Sequence, residues 1–476
     1  MTTTTDTTDS GSAVSHGLTK VLGELGLVTV WRASRDVKLL GAQRFVRMFA
    51  YGCSTLILVS YLKALDISEQ NIGLFMTLTL FGDVFISFFL TLFADTMGRR
   101  AVLILGSFLM AGSGVIFGLF NNYWILLAAA VFGVISPSGN DIGPFRAVEE
   151  STLAHLTLHE HLGDIFTWYS LIGTAGTALG MMSGGWIITF LQSVKGWNFE
   201  TACRAIFFGY GAIGVVKLFL SLGLSHNVEA EEKQKKKTGP LQGQQEATET
   251  QPLLGEQSTQ TEQPKKRGLF ASADKALLSL IIKLFLLFGL DSFASGLAAL
   301  SWMTYFFKVK FDLPEGNLGS IFFTTSLISA ASMLVSSSIA KRIGYVRAMV
   351  FTHLPSTICL ALIPVPNSLP LALTFLVLRA CSQNMDVAPR AAFLASALPS
   401  DKRTAIMGSV NVVKTTAQSA GPYITGFMAD HGLFGWSFTV AGILKVVYDL
   451  GMLFTFAGTE PAKKKPASTE EGEVEN

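Results

Sequence analysis

One frame of residues occurs twice in this chain, and that repeat limits the possible folds more than anything else in the sequence. Phe93-Ala94-Asp95-Thr96-Met97-Gly98-Arg99-Arg100 is matched 246 positions later by the stretch through Ala340-Lys341-Arg342-Ile343-Gly344-Tyr345-Val346-Arg347, with Gly98 falling on Gly344. At the same offset Glu69-Gln70-Asn71-Ile72-Gly73 falls on Glu315-Gly316-Asn317-Leu318-Gly319. At an offset of 245, Asp141-Ile142-Gly143-Pro144 falls on Asp386-Val387-Ala388-Pro389. Two features in one register, with a third one residue off it, imply two homologous halves.

What each half is made of follows from composition. Half of the residues are hydrophobic, 15% are charged and the mean hydropathy is +0.45, too apolar for a soluble domain of this size. A membrane-spanning helix needs about 20 apolar residues. Six such stretches precede the middle of the chain, at 44–65, 70–94, 101–120, 123–147, 165–191 and 202–224. Six follow, at 275–307, 317–340, 345–363, 369–395, 405–428 and 434–457. The expected fold is an all-α membrane protein of two six-helix bundles, residues 41–224 and 271–457, related by a pseudo-two-fold axis.

The remaining segments are polar. Residues 1–40 open on a Thr/Ser-rich tail without a signal-peptide pattern, followed by a mixed basic and apolar stretch around Trp31 that fits an interfacial helix. Residues 225–270, rich in Gln, Glu, Thr and Lys, read as a disordered linker, and 458–476 as a tail. Arg99, Arg100, Lys341, Arg342, Arg347, Lys402, Arg403 and the linker lysines all fall on one side of a twelve-span layout, so that side and both termini are expected in the cytoplasm. Cys53, Cys203, Cys359 and Cys381 form no CxxC pair and read as small apolar filler. Glu249-Thr250-Gln251-Pro252-Leu253-Leu254 is similar to an acidic dileucine sorting signal. It makes a vacuolar or lysosome-like membrane the alternative to the plasma membrane.

The loop Leu92-Phe93-Ala94-Asp95-Thr96-Met97-Gly98-Arg99-Arg100 resembles the signature between the second and third spans of the major facilitator superfamily, usually G-x-L-A-D-R-x-G-R-R. Here Thr91 stands for Gly, Phe93 for Leu and Thr96 for Arg, and the second copy has Lys341 for Asp. In the fifth apolar stretch, Gly176, Gly180, Met181, Gly184 and Gly185 resemble the family's G-x-x-x-G-P-x-x-G-G motif with Met in place of Pro, and Gly421-Pro422 is a partial echo. Small residues at every fourth position let helices approach closely in lipid. The resemblance implies a secondary transporter that rocks two halves about a central site. Asp95, Gly98, Arg99 and Arg100, with Lys341, Gly344 and Arg347, would form its gate.

Intramembrane charges mark the expected solute path, because each costs about 2.5–3.5 kcal/mol at a helix centre unless it faces a partner or a wet cavity. Asp83, Asp291, Arg379 and Lys414 fall near mid-depth. The resemblance implies that the first, fourth, seventh and tenth spans line the cavity, which would place Arg47, Asp141, Arg146, Asp291, Arg379, Asp386 and Arg390 there. Asp291 is the expected proton carrier, with a permanent pair to Arg47 or Arg379 as the alternative. Arg379 and Lys414 are expected to engage the solute, and this basic excess favours a small, at least partly anionic one. Asp141 with Arg146 and Asp386 with Arg390 read as switching pairs, and Glu149 as an interfacial residue. The alternatives are a uniporter, a drug-type exporter, or a receptor or sensor on the same fold. No enzymatic, metal or nucleic-acid motif occurs in a supporting context, His155, His159 and His161 included, so no cofactor is expected. A monomer in the bilayer is.

Overall fold

A computed structural model of the chain describes residues 27–133, 135, 144–229, 275–399 and 402–458, and every regular element among them is helical. The first half contains α1 (Leu27–Arg32), α2 (Arg35–Ala64), α3 (Glu69–Met97), α4 (Arg99–Leu119), α5 (Tyr123–Gly133), α6 (Pro144–Leu156), α7 (Leu162–Ser193) and α8 (Phe199–Leu222). The second contains α9 (Lys275–Leu297), α10 (Leu300–Phe311), α11 (Glu315–Ile343), α12 (Tyr345–Leu362), α13 (Leu369–Ala380), α14 (Val387–Ala397), α15 (Arg403–Asp430) and α16 (Phe434–Phe456). Seven stretches among the described residues are long and apolar enough to cross a membrane: α2, α4, α7, α8, the run through α9 and α10, α12 and α16. The fourth and tenth expected spans are each two helices, α5 with α6 and α13 with α14.

The ends of these helices follow from local chemistry. Ser34 accepts from the Val37 amide and starts α2 at Arg35, nine residues before the apolar stretch, so Arg44 lies well inside a helix. Asn198 accepts from the Thr201 amide and starts α8. Pro144 opens α6, and Pro389 sits in the first turn of α14, where a missing amide proton costs nothing. The repeated Asp-x-x-Pro frame therefore marks where the second helix of a broken span begins.

Backbone geometry repeats with the sequence. Asp66 and Asp312, 246 apart, both take a left-handed φ (60° and 50°) in the turns before α3 and α11. Gly98 and Gly344, at the same spacing, open α4 and α12 at φ 99° and 93°. Their ψ values of 133° and 163° put both near a region that is essentially restricted to glycine, so Gly98→Val should lower stability by about 1–3 kcal/mol, and Gly344→Val likewise. Thermal unfolding of the detergent-extracted protein checks this, with Met97→Val beside it as the neutral comparison.

Helix packing divides the same way. Within the first half α2 packs on α7 and α8, and α4 on α8; within the second α9 packs on α15 and α16, and α12 on α16. The halves meet where α7 crosses α11 and α3 crosses α15. A Cβ on Gly176 or Gly180 would run into the Phe45 or Phe49 carbonyl, and one on Gly184 into Cys53, so this stripe fixes α7 on α2 rather than giving a sliding face between halves. Gly421 meets Gly296 of α9 in the corresponding way.

One expected boundary changes here. Residues 225–229 do not belong to a disordered linker: the Ser225 amide and hydroxyl donate to Asp36 at 2.9 and 2.5 Å, and Val228 is fully buried. The loop arginines make contacts within the first half. Arg100 donates to the Leu222 carbonyl at the end of α8 (2.6 Å), and the Arg99 amide donates to Glu229 (2.9 Å). Asp141 and the Glu249–Leu254 stretch lie outside the described residues, as do the side chains of Asp95 and Lys341.

Candidate functional site

Each half encloses a cluster of buried charge built on the same three kinds of helix. In the first half Glu149 of α6, fully buried, accepts from Arg47 Nη2 of α2 at 2.7 Å and from the Tyr169 hydroxyl of α7. Lys217 Nζ of α8 stands 3.5 Å from its other oxygen. Arg44 lies over the Tyr169 ring, 4.8 Å from its centroid. In the second half Asp291 of α9 accepts from Lys445 Nζ of α16 at 2.6 Å and from Arg390 Nη1 of α14 at 3.2 Å, and Arg390 also bridges to Asp386.

The two triads are related by the repeat with acid and base exchanged. Arg47 and Asp291 are 244 apart on the first long helix of each half, and Glu149 and Arg390 sit on the corresponding broken spans. The lysines are related as well. Gly214-x-x-Lys217 and Gly442-x-x-Lys445 keep one spacing, with Gly214 against Ala111 and Gly442 against Ala361. A close crossing of two helices thus sets each lysine one turn away, aimed inward. Burying such ions requires partners, and Glu149 and Asp291 each have two cations.

Several expected residues come together and others do not. Arg47 pairs with Glu149, and Asp291 with Arg390 and Lys445, so Asp291 meets neither Arg47 nor Arg379. Arg146 pairs with Glu150 at 2.6 Å on the α6 surface, both about one-third exposed. Lys414 of α15 is half-buried, 6.0 Å from the Phe288 ring, and makes no ion pair among the described residues. Arg379 makes none there either, but it stands in electrostatic range of Cys359 on α12 rather than of the Asp291 cluster. Glu149, expected at the interface, is the centre of the first cluster. Lys217, Lys445, Tyr169, His353 and Asp449 were not anticipated, although the repeated Gly-x-x-Lys could have flagged the two lysines.

A cavity of about 310 Å³ lies between α2 and α7 near the linker end, under Val30 of α1. Phe45, Trp168 and Ile172 line it, and Tyr169 belongs both to its wall and to the Glu149 cluster.

The side away from the linker is shut. There Gly73 packs on the Pro422 carbonyl and Gly426 on that of Glu69, while Gly185 packs on the Glu315 carbonyl and Gly319 on that of Met181. Tyr305 donates to Glu69 (3.2 Å) and the Gly316 amide to Thr189 (2.9 Å), both across the halves. Two ion pairs in repeat register flank these crossings, Lys63 with Glu69 (2.8 Å) and Lys308 with Glu315 (2.6 Å).

The chain matches the Major Facilitator Superfamily over residues 40–385 and again over 284–475. It belongs to that superfamily. It is 36% identical over 441 residues to the Saccharomyces cerevisiae protein named "Uncharacterized membrane protein YJR124C", covering 91% of this chain and 96% of the yeast one. Among solved structures, a point mutant of the nucleoside transporter NupG superposes at a TM-score of 0.67 with 13% identity, over 89% of this chain and 100% of that one. A bacterial homologue of the human lysosomal transporter Spinster, inward-facing and occupied, superposes at 0.65 with 13% identity, over 90% and 98%. These similarities make this superfamily member a multi-pass membrane transport protein with the two-bundle fold.

Proposed function

We propose that this transporter carries a small organic anion by alternating access, with the linker side in the cytoplasm. Arg99, Arg100, Arg342, Arg347, Lys402 and Arg403 at linker-side helix ends support the orientation. With the far side shut, the conformation corresponds to an inward-facing state. The observation that carries the solute class is Lys414, an unpaired, half-buried cation among the described residues, close to the Asp291 cluster and to the Phe288 ring. Burying a cation without a partner is costly, so a site that keeps one is built to receive an anion. The aromatic cavity beside Tyr169 would take an apolar body.

Asp291 fits the proton role less well than the sequence suggested, because cations occupy both of its oxygens, and a proton on either one would displace one cation and remove the charge that holds the other. Asp386 with Arg390, and Arg146 with Glu150, are proposed as the pairs that change partners during the cycle. The loop through Asp95, Gly98, Arg99 and Arg100 is proposed to brace the first half at its linker end, and the protein is proposed to act as a monomer.

Thermal shift of the purified protein against aliphatic carboxylates, aromatic carboxylates and organophosphates tests the solute class. A cognate anion at a hundredfold excess over its Kd should stabilise the protein by about 2.7 kcal/mol. Lys414→Gln should lose most of that gain while keeping the ligand-free Tm. Stabilisation by neutral or cationic solutes alone, or an unchanged response in Lys414→Gln, removes the anion reading. Uptake of the same compound into proteoliposomes then tests transport.

A further inference from the structure

Behind the Asp291 cluster lies a second buried pair that the solute path does not use. His353 of α12 and Asp449 of α16 are 5% and 1% exposed, and His353 Nδ1 stands 2.9 and 3.1 Å from the two Asp449 oxygens. The Tyr448 ring meets the imidazole edge-on, 6.3 Å between centroids. Asp449 follows Lys445 by four residues, one turn of α16, and lies in electrostatic range of both Lys445 and Asp291.

We infer that His353, with Asp449 as its fixed counter-ion, is a proton-binding site whose occupancy decides whether Lys445 stays bonded to Asp291. The inference deepens the transport reading and rests on it only for the use made of the proton. Imidazole is the side chain whose charge changes near cellular pH, and a buried pair in which one member can lose its charge is poised to signal that loss.

The charge balance is explicit. With His353 protonated, Nδ1–H donates to Asp449 and the pair is neutral. The proton that leaves is the one on Nε2, since the other stays on Nδ1, donated to the Asp449 carboxylate. Its departure leaves Asp449 with an uncompensated charge one turn from Lys445. The Lys445 ammonium, 2.6 Å from Asp291 Oδ1 and 2.8 Å from Ser295 Oγ, is then drawn toward Asp449. Asp291 keeps Arg390 alone, and the field over Lys414 changes with it.

The neighbouring titratable groups come from named helices. Asp291 projects from α9, Lys445 and Tyr448 from α16, and Asp386 and Arg390 from the start of α14. Arg379 of α13 lies toward Cys359, six residues further along α12. Residues 318–340 of α11, which also packs on α12, contain no titratable side chain.

The test uses full-length protein in nanodiscs without solute. Of the chain's seven histidines, six are replaced so that 15N-labelled His353 is the sole imidazole. A label pair across the linker side, at Leu158 and Tyr345, reports conformation. Scanned from about pH 5 to 8.5, the imidazole resonances and the label distance should follow one curve. Asp449→Asn should displace both curves together, and His353→Gln should leave the distance flat. An imidazole fixed in one protonation state across that range overturns the proposal, as does a distance that ignores its titration or keeps its pH dependence in His353→Gln. None of these outcomes depends on the solute, and a failed anion screen would leave them untouched.

Discussion

Replacing Glu149 with alanine is expected to remove most of the folded protein. The carboxylate is the partner of Arg47 at 2.7 Å, of Lys217 at 3.5 Å and of the Tyr169 hydroxyl, and all of these groups are buried. Truncation takes this carboxylate away from two buried cations and a hydroxyl between α2, α7 and α8. Removing one member of a buried ion pair costs about 3–5 kcal/mol. Against a total stability of about 5–15 kcal/mol, that is enough to empty the native state in a marginal protein. Glu150→Ala, one residue on, breaks only the partly exposed i,i+4 pair with Arg146 and should cost about 0.2–0.5 kcal/mol. The triple change Glu149→Leu, Arg47→Leu and Lys217→Met removes the ions together and should restore folding, since well-packed apolar replacements for buried ions are often neutral or better. Yield of monodisperse protein and Tm measure all three. If Glu149→Ala unfolds within about 1 kcal/mol of the parent, the cations are reaching water and the cluster is not dry.

Glu149 and Glu150 also show where the sequence stops being readable. Adjacent residues on a helix point about 100° apart. Glu150 shares a face with Arg146, and that spacing was visible. The partners of Glu149 lie 102 residues upstream and 68 downstream, on helices whose rotation about their axes no local pattern records. His353 and Asp449, 96 residues apart, were hidden for the same reason. Features set by the backbone were legible. The positive φ at Gly98 and Gly344, the helix starts after Asp141 and at Asp386, and the crossings at Gly73 and Gly319 all sit in the repeated frames. The repeat could also have predicted that a lysine on α16 answers the one on α8. It could not have predicted the exchange of acid and base between halves, because nothing in a helix's own sequence dictates which partner supplies which sign.

Leucine at Gly73 or Gly319 is expected to open the far side of the molecule without unfolding either half. A Cβ on Gly73 would meet the Pro422 carbonyl at 2.6 Å and Gly426 Cα at 3.0 Å, and one on Gly319 would strike the Met181 carbonyl. Both obstacles are backbone of the opposite half, so they yield only if α3 parts from α15 or α7 from α11. Overpacking costs about 1–3 kcal/mol, and each 1.4 kcal/mol is a tenfold change in an equilibrium constant, so one substitution should favour the far-side-open state by about five- to a hundredfold. The two crossings are separate, and their effects should nearly add in the double variant. Labels at the exposed Asn121 and Val365 report the far side, and the Leu158 and Tyr345 pair the linker side. The first distance should lengthen as the second shortens, with Tm falling little. Gly180→Leu, whose Cβ would strike the Phe49 carbonyl within the same half, should lower Tm and leave the ratio of the two distances unchanged. If Gly73→Leu behaves like Gly180→Leu, its crossing holds the fold together and is no gate.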